Sequence, residues 1–314
     1  MPNRSGSRTT FDVILNHGSG TLDKQALADT ITTTLARAGI EARVRIARGG
    51  AELLAARNSA VSSDAPVVVA GGGDGTIATI AEGLVGSQKS LGILPLGTFN
   101  YFAKTLGIPT DLEDALAGLV SGEARCVDVG DVNGSIFLNN SSIGLYPAVL
   151  QKRESTYRRF GRSQLTAYLS VLLTLVQSPP LINLTIAADG RQLSRRTPLL
   201  FIGANVHQME SLGIVGGSCV ANRQFAMYLT RPMSALTLGR LALRLLLKRL
   251  RRTEDFEVIC ARDILVDLRR RRVRVALDGE VRLLEAPLRY RIRQDALRVI
   301  VPVGAHSADP RRAE

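Results

Sequence analysis

Pro66-Val67-Val68-Val69-Ala70-Gly71-Gly72-Gly73-Asp74-Gly75-Thr76 is the stretch that decides the fold. Three consecutive valines have the look of a strand buried on both faces, as in a parallel sheet. The glycines end that strand, and a helix is expected from Gly75 to Leu84. Outward from this unit the same alternation recurs. Strands are expected at Asp12–Asn16, Val44–Ala47 and Leu91–Leu94. Helices are expected at Thr21–Ala38, stopped by Gly39, at Ala51–Arg57 and at Leu112–Val120. Strand and helix in strict alternation predict an α/β domain with a parallel sheet covered on both faces, over residues 10–128.

From residue 129 the pattern changes to short strands. They are expected at Ile136–Asn140, Ile182–Ala188, Leu199–Ala204, Phe225–Leu229, Ile264–Asp267, Val273–Leu277, Leu288–Ile292 and Leu297–Val301. The pairs Asp189-Gly190 and Asp278-Gly279 read as tight turns. Residues 129–304 are therefore expected to form an antiparallel β-sandwich, interrupted by helices at Gln164–Gln177 and Leu236–Arg251. The tail after Gly304 is polar.

Composition narrows the chemistry. The 314 residues are 45% hydrophobic, and 40 Lys and Arg stand against 28 Asp and Glu, a net charge of +12. Such a chain buries a core, fits two domains and favours an anionic partner. Aromatics are only 4%, with no Trp, which argues against single-stranded nucleic acid, where bases need stacking platforms. Cys126, Cys219 and Cys260 lie far apart and show no metal-ligand spacing, so they are expected to be buried, unpaired thiols of a cytosolic protein. Met1–Thr10 lacks a signal peptide's apolar core, and the longest apolar run, Leu165–Val176, is too short to span a bilayer.

The loop Gly71–Thr76 offers what an anion needs: glycines that permit close backbone approach, and the free N–H groups of a helix start. Neither the Walker pattern nor the dinucleotide spacing is present. Asp74 amid these donors needs a cation to sit beside phosphate, which argues for Mg²⁺.

Asp-Gly-Thr after several glycines resembles the signature shared by diacylglycerol, sphingosine and NAD kinases. Leu94-Pro95-Leu96-Gly97-Thr98-Phe99-Asn100-Tyr101-Phe102-Ala103, continued by Leu106-Gly107-Ile108-Pro109, is similar to the run Pro-x-Gly-Thr-x-Asn-Asp-Phe-Ala of the bacterial diacylglycerol kinase family. Asn16-His17-Gly18-Ser19-Gly20 resembles that family's first loop. Val127-Asp128-Val129-Gly130 resembles its domain junction, and Leu277-Asp278-Gly279-Glu280 its late catalytic turn. The five blocks occur in family order from residue 16 to 280.

The resemblance implies an ATP-dependent lipid kinase with its catalytic cleft between the two domains. Asn16, Ser19, Gly20, Gly72, Gly73, Asp74, Gly75, Thr76, Gly97, Thr98 and Asn100 would hold the triphosphate of ATP. Asp74 and Asp128 would hold Mg²⁺. Asp278 or Glu280 would accept the proton of the lipid hydroxyl; both stay open. For Asp128 a plain hydrogen bond at the junction is the alternative role. The chain departs from the family at Tyr101, where an Asp is usual, at Ala78-Thr79, where Asn-Glu is frequent, and at Asn222, where an acidic metal loop has lost its Asp.

Three basic clusters suit an anionic membrane surface. One is the stripe Arg240, Arg244, Lys248 and Arg251 on the second helix. Another is Arg269–Arg272 with Arg274, which would face either anionic lipid or the nucleotide phosphates, and the third holds Lys152, Arg153, Arg158, Arg159 and Arg162. The expected partner is a lipid in such a surface, with no nucleic acid, in the cytoplasm at the inner face of the membrane. A homodimer is compatible with this reading. Two rivals remain: an NAD kinase-like phosphotransferase with a soluble acceptor, and a catalytically weakened membrane-binding regulatory module.

Overall fold

The computed structural model describes residues 9–20, 22–145, 147, 181–230 and 256–304. The two expected helices at 164–177 and 236–251, and the basic clusters at 152–162 and 240–251, lie outside the described residues. The chain divides into two compact units. One runs to Val129 and takes up the chain again from Gln294; the other is Gly130–Arg293. The sequence reading assigned the last strand wholly to the second domain, so this return to the first is a difference.

The first unit opens with β1 (Thr10–Asn16), α1 (Lys24–Arg37), β2 (Glu41–Ala47) and α2 (Gly50–Val61). It continues with β3 (Val67–Gly72), α3 (Asp74–Leu84), β4 (Ser90–Pro95), α4 (Tyr101–Thr105) and α5 (Leu112–Ser121). The strands pair in parallel in the order β2-β1-β3-β4. Every residue of β3 and β4 is buried, the physical counterpart of their unbroken apolar runs. Val13, Leu15, Val67, Val69 and Leu94 pack against Leu27, Ile31 and Leu35 of α1 and Leu116 and Leu119 of α5. Helix starts are set by side chains: Asp23 accepts from the Gln25 N–H at 2.9 Å, and Asp111 from those of Glu113 and Asp114, the N-cap role of a short acid. From β1 the chain turns outward to β2 and then crosses back to β3. The carboxyl ends of β1 and β3 therefore flank a topological switch point.

The second unit begins within β5 (Glu123–Val132). It continues with β6 (Ser135–Phe137), β7 (Asn140–Gly144), β8 (Ile182–Ala188), β9 (Arg191–Thr197) and β10 (Leu199–Gly203). Helices α6 (Val206–Leu212) and α7 (Gly217–Ala221) precede β11 (Phe225–Thr230), β12 (Phe256–Ala261), β13 (Asp263–Leu268), β14 (Arg272–Leu277), β15 (Glu280–Glu285) and β16 (Leu288–Val301). One sheet runs β12-β11-β10-β7-β14-β15, and β9, β8, β13 and the first half of β16 belong to another. All these pairings are antiparallel. Ile143, Ile202, Met227 and Val275 of the first meet Leu184, Ile186, Val266 and Tyr290 of the second in one core, so the unit is a sandwich. The two strands expected at 288–292 and 297–301 are one. Asp295 takes a left-handed φ of 50° within it, and the second half pairs in parallel with β4.

Both expected turns form. Asp189-Gly190 and Asp278-Gly279 have positive φ at each residue (45° and 82°, 47° and 90°), the geometry a two-residue hairpin requires.

The cysteine expectation is overturned. Cys219 of α7 and Cys260 of β12 form a disulfide, with Cα atoms 5.3 Å apart and a sequence separation of 41. Cys126 is free and exposed rather than buried. The register explains the pairing: β12 lies beside β11 with Cys260 opposite Ala226, and Ala226 packs in one cluster with Cys219. A bridge closing a loop of this length stabilises by about 2–4 kcal/mol. Unfolding of wild type in urea should therefore shift to lower urea on adding a dithiol reductant, and Cys219→Ser/Cys260→Ser should already sit at the shifted midpoint. A reductant-insensitive midpoint would remove the bridge from the stability of the protein.

Candidate functional site

Three loops leave the carboxyl ends of β1, β3 and β4 and converge. Asn16, the last residue of β1, donates from Nδ2 to Thr76 Oγ1 at 2.8 Å and accepts the Gly18 N–H at 3.0 Å. One amide thus ties the first loop to the start of α3. Ser19 Oγ accepts the Gly73 N–H at 3.4 Å. Gly20 sits at φ 67°, and a Cβ there would lie 2.8 Å from the Leu96 carbonyl oxygen, so only glycine lets the first and third loops approach. Gly73 and Gly97 meet backbone to backbone: a Cβ on Gly97 would lie 2.5 Å from Gly73 Cα.

Helix α3 begins at Asp74, with Gly73 as its cap and no side chain capping it. Its first internal bond runs from the Ile77 N–H to the Gly73 carbonyl. The N–H groups of Asp74, Gly75 and Thr76 precede that bond, as at any helix start. Gly72 ends β3 in full burial and Thr76 is 4% exposed. An anion seated here would meet three backbone donors and the positive end of α3.

Asn100, expected at the triphosphate, spends most of its amide on its own loop. It is 4% exposed and left-handed at φ 52°. Its Oδ1 accepts the Gly97 N–H, and its Nδ2 donates to the carbonyls of Pro95 and Gly97. Both amide hydrogens and one lone pair are committed to the loop itself, so Asn100 holds Gly97 in place. Thr98 and Phe99 are exposed on the same loop. Phe99 stacks on Tyr101, with centroids 5.3 Å apart and planes 8° from parallel.

Asp74 accepts the Phe102 N–H on Oδ1 at 3.2 Å, which anchors α4 to the glycine loop; the short α4 was not read from the sequence. Oδ2 has no hydrogen-bond partner among the described residues. Asp128 accepts the Asp295 N–H at 2.9 Å and so supports the left-handed residue of β16, the junction role weighed as its alternative. Among the described residues no group of three or more His, Cys, Asp and Glu side chains converges. A single carboxylate, Asp74, beside the free backbone donors of a helix start fits Mg²⁺ of the kind held by one or two carboxylates, water and substrate phosphates.

In the second unit, Asp278 and Glu280 differ in their surroundings. Asp278 Oδ1 accepts the N–H groups of Asn139 (2.7 Å) and Asn140 (3.0 Å), and Oδ2 accepts that of Leu138 (2.7 Å). Asp189 does the same in its own turn, accepting the Arg262 and Asp263 N–H groups. The acid of each Asp-Gly turn thus grips a neighbouring strand. Glu280, first in β15, is exposed. Around Asp278 lies a buried polar group that the sequence reading missed. Asn140 donates to Gln208 Oε1 at 2.9 Å, Asn205 to Asn139 Oδ1 at 2.8 Å, and Ser141 Oγ lies 3.1 Å from the Tyr290 hydroxyl. Among the described residues Asn140 Oδ1 and Ser142 Oγ are buried without a partner. The run Asn139-Asn140-Ser141-Ser142 at the start of β7, buried throughout, was the available signal, since four buried polar residues need partners or a function.

The first unit is thus a parallel α/β domain with a glycine loop at a helix start, and the second is an antiparallel sandwich. Residues 10–132 match the family described as the diacylglycerol kinase catalytic domain. Over 126 residues the chain is 39% identical to the "Probable lipid kinase YegS-like" of Pseudomonas syringae pv. tomato, covering 38% of this chain and 41% of that protein. Over 131 residues it is 34% identical to the "Diacylglycerol kinase" of Bacillus subtilis, covering 40% and 43%. The chain therefore spans about two fifths of the length of the curated relatives it matches. The crystal structure of a diacylglycerol kinase from Bacillus anthracis shares the fold across 95% of this chain and 98% of its own, with a TM-score of 0.65 at 19% identity.

Proposed function

We propose that the protein is a kinase that transfers the γ-phosphoryl group of ATP to the hydroxyl of a lipid, diacylglycerol or a related alcohol. The observation that carries this reading is the convergence of the three loops on the N-terminus of α3, with Asp74 at its head, inside the region that is similar to the diacylglycerol kinase catalytic domain. Phosphoryl transfer asks for positioning, charge neutralisation and a proton acceptor. The backbone of Gly73–Thr76 and the Thr76 hydroxyl bind phosphate oxygens. Gly20, Gly72 and Gly97 keep the loops close enough to do so, while Asn16, Ser19 and Asn100 brace them. When bound, Mg²⁺ neutralises the phosphates, held on the protein side by Asp74. Glu280 takes the proton of the attacking hydroxyl, because both oxygens of Asp278 already serve the turn. Peripheral attachment to an anionic inner membrane surface fits the +12 charge. Among the described residues no helix is long and apolar enough to cross a membrane.

The direct test is a screen of labelled ATP against a total lipid extract and against soluble alcohols. Label in the lipid phase supports the proposal. Label only in a soluble product would favour the NAD kinase-like reading, and no transfer at all the weakened module.

Tyr101 gives a further prediction. A phenol carries no charge at neutral pH and cannot replace a carboxylate's hold on a cation, and here it stacks on the exposed Phe99. Tyr101→Asp is expected to change the ranking of lipid acceptors by roughly tenfold while leaving the KM for ATP within about twofold. Equal scaling of all acceptors would instead place the side chain in the metal's surroundings.

A further inference from the structure

We infer that the outer face of the β9-β8-β13 sheet carries a second anion site, built for a phosphate monoester or diester and separate from the glycine loop. Leu184 and Ile186 of β8 point into the sandwich core, so Asn183 and Thr185 face outward. The register sets Arg196 of β9 opposite Asn183, and Ser194 and Asp267 on either side of Thr185. Paired residues share a face, so one outward row reads Arg196–Asn183, continued by Arg269, which directly follows β13. The next row reads Ser194–Thr185–Asp267. These residues line a concavity of about 460 Å³.

Neighbouring strands lie about 4.8 Å apart, so the two arginines stand roughly 10 Å apart across Asn183. That gap matches two guanidinium forks closing on one phosphate, with an amide beneath and hydroxyls alongside. Arg195 also borders the concavity, but it points to the other side of β9 and is spent in a two-pronged pair with Glu257 (2.8 and 2.9 Å). Among the described residues neither Arg196 nor Arg269 is in an ion pair. Among the described residues Asp267 is the one carboxylate lining the concavity; one of its oxygens accepts the Leu268 N–H at 2.8 Å. It confines a bound anion to the arginine row. Arg270 adds positive charge beside the row, while Arg271 and Arg272 share Glu285 at 4.0 and 3.9 Å.

A diffuse positive surface would need only charge, whereas this site needs the guanidinium fork, and lysine is not its equal there. The test uses the full-length protein as wild type, R196K/R269K and R196Q/R269Q. One arm titrates inorganic phosphate against chloride at fixed ionic strength and reads the thermal midpoint. The glycine loop contributes equally to all three proteins, so the difference among them reads the sheet site. The other arm measures flotation with phosphatidylcholine vesicles, with and without phosphatidylglycerol. In at least one arm the Gln variant should bind roughly thirtyfold more weakly than wild type, about fivefold for each charge, and the Lys variant at least about threefold more weakly. A response confined to vesicles identifies the ligand as a lipid headgroup, and one confined to phosphate a soluble ester. Lys-variant binding within about threefold of wild type in both arms, or no difference between wild type and the Gln variant, overturns the site. Neither result bears on phosphoryl transfer, which the lipid screen tests separately.

Discussion

Asp74→Asn is expected to lower turnover on the order of a thousandfold, as removal of a preorganised electrostatic contact does, and to leave the protein folded. The amide oxygen of Asn can still accept the Phe102 N–H that Asp74 Oδ1 accepts at 3.2 Å, so α4 keeps its anchor. What disappears is the negative charge on the side of Oδ2. The measurement that isolates this is nucleotide binding with and without Mg²⁺. In wild type the cation should tighten binding. In the variant it should tighten it little, while binding without the cation is unchanged or stronger, since a carboxylate beside phosphate is repulsive on its own. An active variant with normal Mg²⁺ dependence would mean that Asp74 serves only to hold α4.

Glu280→Gln should lower kcat by roughly 10²–10⁴, the usual weight of a general base, with little change in nucleotide affinity or thermal midpoint. Asp278→Asn should behave in the opposite sense. Asn tolerates the positive φ of 47° at this position, so the turn survives. Its amide, however, offers one oxygen where Asp278 uses two. An NH₂ group would then face the Leu138 N–H, or those of Asn139 and Asn140. A buried donor without an acceptor costs about 1–3 kcal/mol, so the variant should melt earlier, with turnover reduced only as far as Glu280 is displaced. Parallel thermal and steady-state measurements on both variants separate the roles. A stable but inactive Asp278→Asn beside an active Glu280→Gln would exchange them.

What the sequence determined by itself was local. Three valines followed by a glycine loop specify a buried strand, a close anion approach and a helix start, because each depends on a few neighbouring residues. Asp189-Gly190 and Asp278-Gly279 likewise carry their own backbone preference and formed the expected hairpins. The short α4 escaped because it starts from a left-handed Asn100 with no side-chain cap. β16 was split in two because Arg293-Gln294-Asp295 looks like a break, while hydrogen bonding on both sides of Asp295 holds it in one strand.

Only the tertiary structure decided the rest. Asp278 meets the N–H groups of residues 138–140 from 140 positions away, and Cys260 meets Cys219 across 41. Arg196 and Arg269 come to share one row only through the register of β9, β8 and β13. A strand's side chains alternate whatever its partner, but which chain segment lies beside it is settled by register and core packing over the whole unit. No window of sequence contains that information, so the roles of Asn100, Asp128 and Asp278 as braces emerged only when their long-range partners were in place.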